Sequence, residues 1–168
     1  KELLDIPVFH DDQHGTAIIA AAGLLNALEL TGRSIENFKL VVNGAGAAGI
    51  ACLELLGSLG MPRKNVIFCD TKGVIYQGRK DGMNQWKSAY AAKTKARTLA
   101  EALDGADAFF GLSAKGAVTA DMVRSMAPKP IIFAMVYPES EFMPDDVYAL
   151  RHDVVVGRWR SDDPDLFH

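Results

Sequence analysis

The sequence has no apolar run of membrane-spanning length: the stretch Ala17–Leu25 ends at Asn26 after roughly half the residues a spanning helix needs, so no membrane segment is expected. It also lacks a basic stripe. Arg33, Lys39, Lys72, Arg97 and Arg124 are scattered, and the net charge is only −3, which argues against nucleic acid or an anionic membrane as a partner. Cysteine is scarce too. Cys52 falls in an apolar helical pattern and Cys69 in a strand pattern, as buried reduced thiols would, and this excludes a secreted disulfide framework and points to the cytoplasm. No initiator Met, signal peptide or transit peptide precedes Lys1, so the chain is expected to be a processed, truncated or excised piece.

What is present is the balance of a globular protein. Apolar residues make up 49% and charged residues 23% of 168, enough to bury a core within one domain spanning 1–168. The Ala- and Leu-rich segment from Thr16 to Leu30 predicts a helix ended by Gly32, with Ala20, Ala21, Ala22 and Gly23 allowing close approach of another backbone. Apolar runs at 38–43, 65–70, 107–111, 131–135 and 154–156 predict strands buried on both faces. Helices are expected at 47–59, 84–93, 98–103, 119–126 (capped by Thr119) and 144–150, with a loop from Thr71 to Arg79. Alternating strands and helices imply an α/β fold: a Rossmann-like, doubly wound parallel sheet with helices on both faces. Met122, Met126 and Met135 read as core filler, and the polar end, Trp159 to His168, as a poorly ordered tail.

The strand ending at Asn43 runs into Gly44-Ala45-Gly46-Ala47-Ala48-Gly49, a G-x-G-x-x-G pattern followed by a helix and, 21 positions past Gly49, by Asp70 at the end of the next strand. Gly44 would permit the tight turn, Gly46 the approach of a pyrophosphate, and Gly49 close helix–strand packing. The helix amino terminus would face the phosphates with its unpaired N–H groups. Asp70 is placed to accept hydrogen bonds from the adenosine ribose. A carboxylate there favours NAD, whereas Lys72 could hold the 2′-phosphate of NADP, and the choice stays open.

Asp11 and Asp12 are adjacent carboxylates at the entry to the first helix. They serve either as acidic residues capping a surface helix or as metal ligands, since adjacent carboxylates repel unless a cation, a helix terminus or solvent relieves them. His10 and His14 lack a third partner for zinc, and the oxygen-rich surroundings suit Mg²⁺ or Mn²⁺ better.

The segments IPVFHDDQHGTAIIAAAGLLNAL, VVNGAGAAGIACLELL, CDTKGVIYQGR and GLSAKGAVTADMVRSMAPKPIIFAM closely resemble the second half of bacterial malic enzymes, up to about Met135. The resemblance implies oxidative decarboxylation of malate to pyruvate and CO₂, reduction of NAD or NADP, a divalent cation (Mg²⁺ or Mn²⁺), and a homo-oligomeric full-length enzyme. It makes Asp12 a metal ligand and assigns Asp11 an assisting role at the substrate. The loop Gly111–Gly116 follows a strand end, where Ser113 is expected to touch the coenzyme, and Lys115 either approaches the nicotinamide ribose or is simply solvated.

Several family features are missing. The family's Lys base, Tyr acid and Glu-Asp metal pair lie upstream of Lys1, so this chain alone is expected to be inactive. Tyr137 stands where the family has an Asn reaching coenzyme and substrate, and the segment Arg160–Leu166 departs from the family pattern. Two other readings remain at this point: a non-catalytic dinucleotide-binding module, and a domain of another two-domain dehydrogenase, which would not need the acidic pair.

Overall fold

A computed structural model of the chain describes residues 5–6, 8–112, 118–135 and 144–158. The elements run α1 (Asp11–Thr31), β1 (Leu40–Asn43), α2 (Ala47–Ser58), β2 (Val66–Asp70), β3 (Gly73–Val74), α3 (Gln85–Ala89), α4 (Leu99–Leu103), β4 (Ala108–Gly111), α5 (Ala120–Ser125), β5 (Ile131–Ala134), α6 (Pro144–Leu150) and β6 (Val155–Arg158). The strands form a six-stranded sheet in the order β3-β2-β1-β4-β5-β6. All pairings are parallel except that of the two-residue edge strand β3 with β2. Because β1 pairs with β2 on one side and β4 on the other, chain direction across the sheet reverses there, and a crevice opens at the carboxyl end of β1.

Alternation along each strand splits the core into two layers. Leu40, Val42, Phe68, Phe110 and Ile131 face α1 and α2, while Val41, Ile67, Cys69, Phe109 and Ile132 face Ala102, Leu103, Val123 and Val147. Cys52 and Cys69 are free and lie in opposite layers, so they cannot meet as a disulfide. Met126 is buried, and Met122 and Met135 pack against the core. Among the described residues no helix is long and apolar enough to cross a membrane.

α1 begins at Asp11, five residues before the expected start at Thr16, with both acidic residues in its first turn, where they complement the helix dipole. Its end is as expected, with Gly32 in the left-handed conformation at φ 69°. The expected helix over 84–93 is shortened to α3 because Ala92 leaves the helical path and pairs with Tyr76. The expected loop 71–79 contains β3. Thr119 caps α5 by accepting from the Met122 N–H at 3.4 Å.

The small-residue stretch of α1 has a specific partner. The edge of the Phe133 ring lies where a Cβ on Gly23 would sit (2.7 Å), and a Cβ on Gly157 of β6 would collide with the same ring atom. Phe133 also stands edge-on to Phe110, with ring centroids 5.2 Å apart. The tail 159–168 lies outside the described residues.

Candidate functional site

The glycine turn sits at the carboxyl end of β1, and its three glycines are held by different contacts. Gly44 has φ 128°, a region L side chains rarely adopt, and a Cβ there would lie 2.8 Å from the Leu112 carbonyl carbon, where the chain leaves β4. A Cβ on Gly49 would collide with the Gly44 carbonyl oxygen and press on the Phe68 ring at 3.1 Å, so α2 can lie this close to its strand only with glycine there. At Gly46 a Cβ would meet nothing within 4 Å. The turn is therefore tight on its inner side and open at its middle residue.

Gly46 is also the N-cap of α2. It has no side chain to cap the helix, and no acidic residue occupies the first turn. The N–H groups of Ala47, Ala48 and Gly49 have no acceptor within the helix, and the dipole adds partial positive charge at the same point. With Ala45 completing the turn, this backbone cradle suits an anion.

The Gly44 N–H donates to the Cys69 carbonyl (3.0 Å), which places the next residue, Asp70, beside the turn. Its surroundings differ from the sequence expectation of a carboxylate open to a ribose. Oδ1 accepts from the Lys72 N–H and from Arg79 Nη2, each at 2.9 Å, while Oδ2 accepts from Arg79 Nη2 (2.9 Å) and Lys87 Nζ (2.7 Å). The Asp70 side chain is 9% exposed and that of Arg79 5%. Burial pushes the Asp70 carboxyl up, but the bonds from Lys87, the Lys72 N–H and Arg79 outweigh it and hold the group below its ordinary value. The Lys72 side chain turns outward to grip Asp81, at 2.6 and 2.7 Å.

Asp11 and Asp12 reach the same end of the molecule by another route. α1 descends to Arg33, whose guanidinium donates to the carbonyls of Pro128 and Lys129 just before β5, so its amino terminus points to the carboxyl edge of the sheet. Asp11 stands about 18 Å along the helix from Gly23, at 1.5 Å per residue. Both carboxylates are exposed, and that of Asp11 folds over Gly15. Among the described residues no three His, Cys, Asp or Glu side chains gather as a metal group. Ser113, Lys115 and Tyr137 lie outside the described residues.

The family model for the malic enzyme NAD-binding domain matches residues 13–157. This chain belongs to that family. It is 67% identical over 164 residues to an NADP-dependent malic enzyme of Rhizobium meliloti, covering 98% of this chain and 22% of the relative. An NAD-dependent malic enzyme of the same organism is 48% identical over 164 residues, covering 98% of this chain and 21% of the relative. The crystal structure of an NAD-dependent malic enzyme from Thermotoga maritima superposes with a TM-score of 0.85 at 38% identity, covering 97% of this chain and 44% of that one. The chain thus spans about a fifth of the length of these curated malic enzymes.

Within this malic enzyme domain, sequence reasoning located the turn and Asp70 but missed Arg79 and Lys87. They lie in and just after the run Gly78-Arg79-Lys80-Asp81-Gly82, which by itself does not report the carboxylate they meet. Its glycines at φ 90° and 65° bend the chain back toward Asp70, nine residues earlier.

Proposed function

We propose that this chain seats the pyrophosphate of NAD(P) on the turn Gly44–Gly49 and serves the oxidative decarboxylation of malate to pyruvate and CO₂ within a malic enzyme. The observation that carries the reading is the open cradle at Gly46, where a Cβ would meet nothing, set against an uncapped α2. Ala47, Ala48 and Gly49 offer their N–H groups to the phosphate oxygens, and Gly44 and Gly49 keep the turn close enough to the sheet for those groups to converge. When bound, the dinucleotide supplies the hydride acceptor and a divalent cation the charge that holds malate.

Asp12 is assigned as one ligand of Mg²⁺ or Mn²⁺, with Asp11 beside it assisting at the substrate. Carboxylate oxygens are the donors such hard cations take. Two carboxylates in one helical turn do not complete a coordination shell, and no third ligand gathers there among the described residues. On this reading the remaining ligands and the proton-transfer groups come from the rest of a malic enzyme, and this chain by itself should not turn malate over.

Calorimetric titration of NAD⁺ and NADP⁺ into the chain tests the seat. The wild type should bind dinucleotide and Gly46→Val should not, because its branched side chain fills the cradle. Equal affinity in the two would refute the assignment, and Mn²⁺-dependent malate turnover by the chain alone would overturn the division of labour.

A further inference from the structure

A second concave surface lies at the opposite edge of the sheet. The segments that lead into β1, β2 and β4, together with residues 92–94, enclose a cleft of about 530 Å³ whose rim carries Glu36, Lys39, Lys64, Lys93, Thr94 and Asp107. The length of β1, about 13 Å at roughly 3.3 Å per residue, separates it from the glycine turn.

The walls of the cleft are tied together. Asn65 Nδ2 donates to the Glu36 carbonyl (2.7 Å), which joins the entrance of β2 to that of β1. The Lys39 N–H donates to Asp107 Oδ2 (2.8 Å) and the Asp107 N–H to the Lys39 carbonyl (3.0 Å), which joins β1 to β4. Ala92 donates to the Ile75 carbonyl and accepts from the Gln77 N–H, each at 3.0 Å, and so anchors the wall that carries Lys93 and Thr94.

The charges on this frame do not cancel. Asp107 is matched from outside the cleft by Arg33, at 3.4 Å. Lys39 Nζ ends on a carbonyl, that of Asp104, at 3.0 Å, and its charge stays uncompensated. Among the described residues Lys64 and Lys93 form no ion pair, and both are exposed. Three ammonium groups therefore share a cleft with the single unmatched carboxylate of Glu36, an excess of two positive charges. A fixed cleft with charge of one sign in excess concentrates the opposite ion. A phosphate monoester, close to dianionic near pH 7, matches that excess, and its clustered oxygens can be shared by several ammonium groups, unlike the two separated ends of a dicarboxylate. The volume exceeds that of a phosphate group and leaves room for the body of the ester.

We propose that this cleft binds a small phosphate monoester, held by Lys39, Lys64 and Lys93, as a site separate from the dinucleotide seat.

The test follows the amide chemical shifts of the isotope-labelled chain during titration with glycerol phosphate, with succinate and sodium chloride at matched ionic strength as the other arms. Glycerol phosphate should shift residues 36–39, 64–65 and 92–94 saturably, and succinate should bind there more weakly by about threefold or more. Lys64→Gln and Lys93→Gln should each weaken the phosphate ester by about threefold, and the double variant by about tenfold, while Lys64→Arg keeps its affinity. The rest of each variant's spectrum verifies its fold. An absence of shifts in the cleft, their reproduction by sodium chloride, equal binding of succinate, or an unaltered affinity in the double variant overturns the proposal. Shifts confined to residues 44–49 overturn it too, and leave the dinucleotide seat standing.

Discussion

Replacing Gly49 by alanine sets two effects of opposite sign against each other within one helix. Alanine is the better helix former by about 1 kcal/mol. The added methyl, however, would collide with the Gly44 carbonyl oxygen and come within 3.1 Å of the Phe68 ring. The ring can yield a few tenths of an ångström. The carbonyl cannot, because Gly44 is wedged against Leu112 on one side and tied to the Cys69 carbonyl at 3.0 Å on the other. Overpacking of this kind costs about 1–3 kcal/mol, so Gly49→Ala should lose up to about 2 kcal/mol net. Gly57, in the same helix, has nothing within 4 Å of its Cβ position, and Gly57→Ala should gain up to about 1 kcal/mol. At about 2–4 °C per kcal/mol for a chain of this size, differential scanning calorimetry should move the two midpoints in opposite directions from wild type. If Gly49→Ala proves as stabilising as Gly57→Ala, the account of the tight inner wall of the turn is wrong.

Two further outcomes follow from charge and burial. Hydrogen bonds from Arg151 and the Lys129 N–H lower the Asp153 carboxyl from 3.8 to about 2. A depressed folded-state value means that the stability it contributes is complete above 3.8 and is lost as pH falls toward about 2. Asp153→Asn should therefore flatten the acid limb of the urea-unfolding midpoint in that window, and an unchanged limb would contradict the pairing. Burial pushes both Cys52 and Cys69 up to about 12, so neither should react with a thiol reagent at pH 8 until the chain unfolds. Rapid labelling of the folded protein would show the packing around them to be looser than described.

Much of the fold was legible because its signals are local. Short apolar runs bounded by glycine and polar residues marked five of the strands to within two residues, and the glycine spacing marked the turn, since each glycine answers to a backbone requirement visible in a single segment. The edge strand β3 was not legible: two residues carry no periodicity, and Gly73–Val74 pairs only because the chain folds back on Asp70. The early start of α1 was hidden because two acidic residues ahead of an apolar stretch read equally as loop or first turn. Arg79 and Lys87 are not legible for a related reason. Nothing about a lone Arg or Lys in a polar stretch reports which carboxylate it will meet, and the meeting with Asp70 depends on left-handed glycines and on α3 stopping at Ala89. The same distance in sequence hid the altered state of Asp70, whose position was readable although its partners were not.

The Phe133 ring wedged between Gly23 and Gly157 has an effect beyond filling space. It acts as a spacer whose thickness fixes how near α1 stands to the outer strands, because neither flanking residue has a side chain to adjust. Any group added at either glycine would tilt or lift the helix, and a long rigid helix carries a small tilt at one end into a larger displacement at the other. The height of Asp11 and Asp12 over the sheet is thus gauged by an aromatic edge more than two helical turns away, and evolutionary change at positions 23, 133 and 157 should come in matched sets.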